Sequence, residues 1–320
     1  MKNTIIFFAF IFAYTSSYSN TNTDSTFIEI ETTLKTSTGE IYGSLTTPND
    51  TIQSPLVLII AGSGPTDRNG NSLAGLNANT YKMLAEALAM NGISTLRYDK
   101  RGIGESKAAM TSEKDLRFET YSKDVVDWIS MLKEDERFSE IILLGHSEGS
   151  LLGMIAAEQN SVSAFISIAG VGKSADKIIK EQLEGNLPPA LMDESNRILD
   201  SLKIGKTVEN FDPSLISIYR PSVQPYMISW FKYDPTKEIS KLHIPILLIQ
   251  GTSDIQVSVS EVNLLAAAKP EAKLLIIEKM NHILKESEAD VINNMATYKN
   301  PELPLINGLI DEIVIFIKQL

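Results

Sequence analysis

Ile141-Ile142-Leu143-Leu144-Gly145-His146-Ser147-Glu148-Gly149 runs from a wholly apolar stretch into a small-residue turn, and residues 150–158 continue with helical spacing of apolar side chains. This places G-x-S-x-G between a buried strand and a helix, the context in which the motif carries chemistry. The serine occupies a sharp turn that only small neighbours allow, so its hydroxyl projects over the end of a sheet. The backbone N–H of Glu148, immediately after it, faces the place where negative charge would develop.

Working outward, the same rhythm recurs along the chain. Short runs rich in Ile, Leu and Val at 56–61, 94–98, 140–144, 164–169, 245–250 and 273–277 read as parallel strands buried on both faces. Between them, residues 79–90, 121–133, 148–158 and 258–268 have helical periodicity, and 305–318 reads as a closing helix. Ahead of this alternation, residues 27–36 and 40–47 flank Ser37-Thr38-Gly39 and read as an antiparallel hairpin. Strand and helix in alternation imply an α/β fold: a mostly parallel sheet with helices on both faces.

One interval breaks the pattern. Residues 172–242 carry no buried-strand signal, only helical pieces interrupted by Pro188, Pro189, Pro213, Pro221, Pro225 and Pro235. A structureless loop of that length is rare in a compact domain, so a helical cap insertion is expected there. It would divide a core formed by residues 27–171 and 243–320. From this insertion, about half of Leu187, Leu191, Met192, Tyr219, Tyr226, Met227, Trp230 and Phe231 are expected to wall an acyl or leaving-group pocket.

A serine hydroxyl needs a general base, and the chain has three histidines. His146 precedes the serine within the turn and should point elsewhere. His243 enters a strand at its N-terminal end, opposite the expected site. His282 follows the last strand through a short loop, at the correct edge, and is the expected base. Asp254 stands beyond the strand at 245–250, also at that edge, and would orient the imidazole. The expected catalytic set is therefore Ser147, Asp254 and His282, in that order along the chain. For the oxyanion hole the N–H of Glu148 needs a companion from the loop after residue 61. Ser63 is the first choice and Gly64 the second, since Pro65 has no N–H. Asp67, Arg68 and Asn69 read as fasteners of this loop, with contact to a polar substrate group as the alternative, and Asp99 and Arg101 read as fasteners of the neighbouring loop.

Gly145-His146-Ser147-Glu148-Gly149 is accompanied by AGSGPTDRNGN at 61–71, RYDKRGIGES at 97–106 and QGTSD at 250–254. Together these segments resemble the α/β-hydrolase superfamily, in particular bacterial exported esterases grouped with serine aminopeptidase-like hydrolases. The resemblance runs from about residue 27 to the C-terminus and is weakest in the insertion. It implies the same fold and the same catalytic logic.

Composition narrows the partners. The 320 residues carry a net charge of −11, which disfavours nucleic acid and anionic membranes. No His/Asp/Glu cluster has metal-ligand spacing, the glycine-rich loop lacks a nucleotide-binding pattern, and neither a metal nor a cofactor is expected. There is no cysteine, hence no disulfide and no thiol nucleophile. Lys2 precedes nine apolar residues at 5–13, too few for the roughly 20 that span a bilayer, and Ser17 and Ser19 fit the −3 and −1 positions of a cut before Asn20. Residues 1–19 are therefore expected to be a signal peptide, and the mature chain to be periplasmic or secreted without stable membrane insertion. The oligomeric state is left open.

The expected reaction is hydrolysis of small-molecule carboxylic esters with short to medium acyl groups through an acyl-enzyme. An aminopeptidase-like amide hydrolase is the alternative, with Glu181, Glu184, Asp193 or Glu194 available to hold a substrate amino group. A ligand-binding protein that kept the fold without catalysis is a third.

Overall fold

The computed structural model describes residues 26–49 and 53–320. The expected signal peptide, 1–19, lies outside the described residues.

The chain enters the sheet as a hairpin, β1 (Phe27–Thr36) and β2 (Gly39–Pro48), with Ser37-Thr38 as its turn. The core strand β3 (Ser54–Ile60) follows, then a two-rung hairpin of β4 (Asn71–Ser72) and β5 (Leu76–Asn77) that the sequence did not announce. Helix α1 (Thr80–Met90), β6 (Ser94–Tyr98) and α2 (Phe118–Lys133) lead to β7 (Phe138–His146) and α3 (Glu148–Gln159). After β8 (Ala164–Ile168) come α4 (Ala175–Leu183), α5 (Pro189–Lys203), α6 (Ile216–Tyr219), α7 (Gln224–Trp230) and α8 (Pro235–Ser240). Strand β9 (Ile246–Gly251), α9 (Val259–Ala268), β10 (Lys273–Ile277), α10 (Val291–Thr297) and α11 (Leu309–Ile317) complete the fold.

Among the described residues the main sheet has eight strands, in the order β1-β2-β6-β3-β7-β8-β9-β10. The strands from β6 to β10 run parallel, and the β1–β2 hairpin joins them antiparallel through β2 and β6. From β3 the chain crosses first to β6 on one side, then to β7 on the other. The carboxyl ends of β3 and β7 therefore flank a switch in strand order, where open α/β sheets bind ligands. Two apolar cores cover the two faces. One includes Leu58, Trp128, Leu143 and Phe165, and the other includes Ile59, Leu84, Ile166 and Phe316.

The central runs are buried as their composition requires, but β10 is not. It is the edge strand, with Leu274 and Ile276 exposed, so the expectation of burial on both faces fails there. An apolar run reports strand character without reporting whether a neighbour covers both sides.

The interval between β8 and β9 is helical. Ile198, Leu202, Tyr219, Met227 and Phe231 form a separate core there, with Leu187, Leu191 and Trp230 against it. Its last helix, α8, returns to the main layer, where Ile239 is buried with the sheet core. Among the described residues no helix is long and apolar enough to cross a membrane.

Candidate active site

Ser147 sits between β7 and α3 with φ 54° and ψ −121°, a conformation L residues rarely adopt. The turn is possible because Gly145 and Gly149, two residues to either side, lack side chains. A Cβ on Gly149 would stand 2.2 Å from the carbonyl oxygen of Ile60, and one on Gly145 would stand 2.3 Å from that of Gly149. The serine N–H is satisfied by the carbonyl of Ile168 at 2.9 Å. That bond fixes the turn on β8 and leaves the side chain free above the sheet edge.

His282 and Asp254 meet from two separate loops. Nδ1 of His282 lies 2.8 Å from Oδ2 of Asp254. The other carboxylate oxygen accepts the backbone N–H groups of Gln256 and Val257 at 2.8 and 2.9 Å, and Gln250 Nε2 donates to Oδ2 at 3.1 Å. Burial alone would raise the Asp254 carboxyl. The imidazole of His282 and the two N–H donors outweigh it and hold the group below the usual carboxylate range. A carboxylate so held accepts the Nδ1–H of His282, which leaves Nε2 for a second partner.

The loops close on each other because Gly251 is bare. A Cβ there would stand 2.0 Å from the carbonyl of Met280. Asn281, almost fully buried, fastens the histidine loop. Its amide reaches Thr297 and Asn294 on α10, and its oxygen accepts the N–H of Lys285 at 3.0 Å. Asn294 also donates to the carbonyl of Ser253 at 2.7 Å, so α10 braces the aspartate loop as well. Sequence reading missed this brace, since asparagines in a polar segment carry no periodic signal.

Ser147, His282 and Ser63 line one cavity of about 90 Å³. Gly62, Thr66, Gly70, Leu76, Thr80, Tyr81, His146, Gln256, Ile283 and Tyr298 complete it. Every one of these residues comes from the sheet domain or its loops. None of the insertion residues expected as a wall is in this lining: Leu187, Leu191, Tyr219, Met227, Trp230 and Phe231 pack on one another, and Tyr226 packs against the sheet core. The apolar wall is a small cluster of Ala78, Ile283, Tyr298 and Leu76. It joins the β4–β5 hairpin to the excursion after His282, and Asn77 N–H donates to the Tyr298 carbonyl at 2.7 Å across that join.

Of the two oxyanion candidates in the glycine loop, Ser63 lines the cavity and Gly64 does not. Among the described residues no acceptor stands on the Ser63 N–H. Glu148 opens α3, where the first N–H groups have no helical partner. Its side chain is buried and accepts the hydroxyl proton of Tyr226, which ties α7 to the residue after the serine.

The three histidines separate cleanly. His146 is buried beneath the elbow between Tyr81 and the carbonyl of His282. His243 is exposed ahead of β9. The fasteners behave as charged clips. Arg68 spans Glu31, Asp99 and Glu105, Asp67 accepts the N–H groups of Asn69 and Asn71, and Arg101 grips Asp124 with two bonds. Among the described residues no group of three or more His, Asp or Glu side chains is arranged to hold a metal ion.

The family described as "Serine aminopeptidase, S33" matches residues 74–236, the stretch that carries the elbow and the helical interval. The chain belongs to this hydrolase family. Esterase EstD of Thermotoga maritima is 26% identical over 261 residues, covering 77% of this chain and 58% of the relative, so the chain spans little more than half of that protein's length. The sheet and its helices also match solved α/β-hydrolase structures. Est1E from Butyrivibrio proteoclasticus aligns with a TM-score of 0.58 at 17% identity, over 90% of this chain and 99% of that one. A bromoperoxidase from Bacillus anthracis aligns at 0.56 and 17% identity, over 90% and 100%. At those identities the likeness establishes the α/β-hydrolase fold, and the S33 family match places this chain within it.

Proposed function

We propose that the protein is a serine-dependent carboxylic ester hydrolase for small acyl groups, working through an acyl-enzyme. The observation that carries this reading is the single small cavity shared by Ser147, His282 and Ser63. Nε2 of His282 takes the proton of Ser147 as its oxygen attacks the acyl carbonyl. Asp254 holds the imidazole by Nδ1 and stabilises its charge. The N–H groups of Ser63 and Glu148 hold the oxyanion. His282 then protonates the departing alcohol, and afterwards activates the water that frees Ser147.

Cavity size supports a short acyl group. An apolar cavity of about 150 Å³ accepts the six carbons of benzene. At about 90 Å³, and partly open to solvent, this one favours an acyl group smaller than that. The relative named as an esterase supports ester over amide. So does the lining, which contains no carboxylate that would hold a substrate amino group. Of the acidic candidates, Glu181 is paired with Lys173, and Glu194 with Arg197 and the Asp212 N–H.

The test is a panel of p-nitrophenyl esters from acetyl to octanoyl and benzoyl, beside aminoacyl-p-nitroanilides, with Ser147→Ala as control. Turnover confined to the shortest esters and absent from the control is expected. Faster cleavage of the anilides would move the protein to the peptidases, and silence on both panels would remove the ester reading.

A further inference from the structure

Lys100 is a buried cation that the mechanism above leaves without a task. It stands two residues past the end of β6, only 2% exposed, and its ammonium lies 2.5 Å from the carbonyl oxygen of Gly62. Burying an ammonium is costly unless the site compensates it, and here the acceptor is the peptide that leads into the oxyanion loop. We propose that Lys100 is a positioning residue, which clamps the Gly62–Ser63 peptide so that the Ser63 N–H faces the oxyanion. This assignment rests on the serine-hydrolase reading of the site.

The geometry follows from peptide planarity. In a trans peptide the carbonyl of one residue and the N–H of the next point in opposite directions, and the described residues contain no cis bond. Pulling the Gly62 carbonyl toward Lys100 therefore turns the Ser63 N–H away from it, to the side where Ser63 lines the cavity. The preceding peptide is held too, since Gly62 N–H donates to the Tyr81 hydroxyl at 3.1 Å. The loop passes close to the nucleophile. A Cβ on Gly62 would meet the Cβ of Ser147 at 3.1 Å. A cation on the carbonyl also polarises that peptide, which strengthens its N–H as a donor.

The surroundings suit a retained charge. The Tyr121 ring lies under the ammonium at 5.1 Å, and the buried carboxylate of Glu148, itself bonded to Tyr226, is the acidic group whose charge supports it. Burial pushes the Lys100 ammonium below the usual lysine range, and Glu148 opposes that shift.

The experiment measures p-nitrophenyl acetate turnover and inhibition by 1,1,1-trifluoroacetone, whose hemiketal places an oxyanion in the same site. Wild type, Ser147→Ala, Lys100→Met and Lys100→Arg are compared. Turnover surviving in Ser147→Ala would defeat the site reading itself. With that control silent, Lys100→Met should lower kcat about 10- to 100-fold, leave KM within about threefold, and raise the inhibition constant in parallel. Lys100→Arg should recover part of both. A kcat within about threefold of wild type, or a fall in kcat with unchanged ketone affinity, overturns the assignment. If Lys100→Met does not fold, Lys100→Gln is judged by the same two readings.

Discussion

Nε2 of His146 lies 2.8 Å from the backbone carbonyl oxygen of His282, joining the elbow to the loop that carries the proposed base. A carbonyl only accepts, so Nε2 carries the proton and Nδ1 is left as an acceptor. The Tyr81 hydroxyl, 2.8 Å from Nδ1, must then donate to it, and its oxygen accepts the Gly62 N–H. One chain of directed bonds thus runs from the oxyanion loop through Tyr81 and His146 to His282.

Tyr81→Phe cuts that chain at its centre and leaves two buried groups, the Gly62 N–H and His146 Nδ1, without partners. Each unmet buried group costs about 1–3 kcal/mol. The variant should lose at least about 2 kcal/mol in urea denaturation and turn over p-nitrophenyl acetate more slowly. Unchanged stability would mean that the chain of bonds contributes nothing.

His146 should make folding sensitive to mild acid. Burial first, then the neighbouring imidazole of His282, push its pKa from 6.5 down to about 3. Between those values the unfolded chain binds a proton that the folded one refuses. Stability is therefore complete above pH 6.5 and falls as pH drops toward 3, by about 1.4 kcal/mol per unit. Asp254, held below its ordinary value of 3.8, adds a further loss once pH falls below that value, where the unfolded carboxyl binds a proton that the folded one refuses. Urea midpoints from pH 7 to pH 4 should show a shallower fall in His146→Gln than in wild type. Equal slopes would rule out a buried neutral His146.

Asp254→Asn keeps the shape of the pair but leaves His282 in the wrong tautomer. A loss of about 10⁴-fold in kcat is expected, with little change in KM. Ser147→Ala should in addition abolish labelling by an active-site phosphonate, read by intact-protein mass. Labelling that persists in Ser147→Ala would place the nucleophile elsewhere.

Leu76 stands in the apolar wall and is only partly buried, so trimming it opens the cavity at small structural cost. One methylene in an apolar pocket changes discrimination by about 10- to 200-fold. Leu76→Ala should raise the hexanoate-to-acetate ratio of kcat/KM by about tenfold. An unmoved ratio would locate the acyl group on another wall.

Much of the site was legible because its signals are local. The elbow declares itself through Gly145, Ser147 and Gly149 between an apolar run and a helical one. His282 and Asp254 were found by asking which candidates follow a strand's C-terminal end. The 2.8 Å contact between them agrees with that placement. The apolar wall of the cavity was not legible. Leu76, Ile283 and Tyr298 lie in short or irregular segments with no period to betray their partners, while the insertion's apolar residues advertised a pocket and instead fill a core of their own.

Residue order alone determined where the long core strands and the helices between them form, since these follow from periodicities of two and 3.6 residues, but not the short β4–β5 hairpin or α10. It also picked out the candidate nucleophile, base and acid. Only the tertiary structure decided which groups meet across long stretches of chain. His146 reaches the His282 carbonyl over 136 residues, and Thr80 reaches that of Ile283 over 203. Such pairings depend on the way the β-sheet orders its strands, which places the ends of β3 and β7 side by side. Local patterns do not encode that order. It is set by the joint burial of every strand and helix at once, and the cavity, its small volume and the lysine behind its oxyanion loop follow from it.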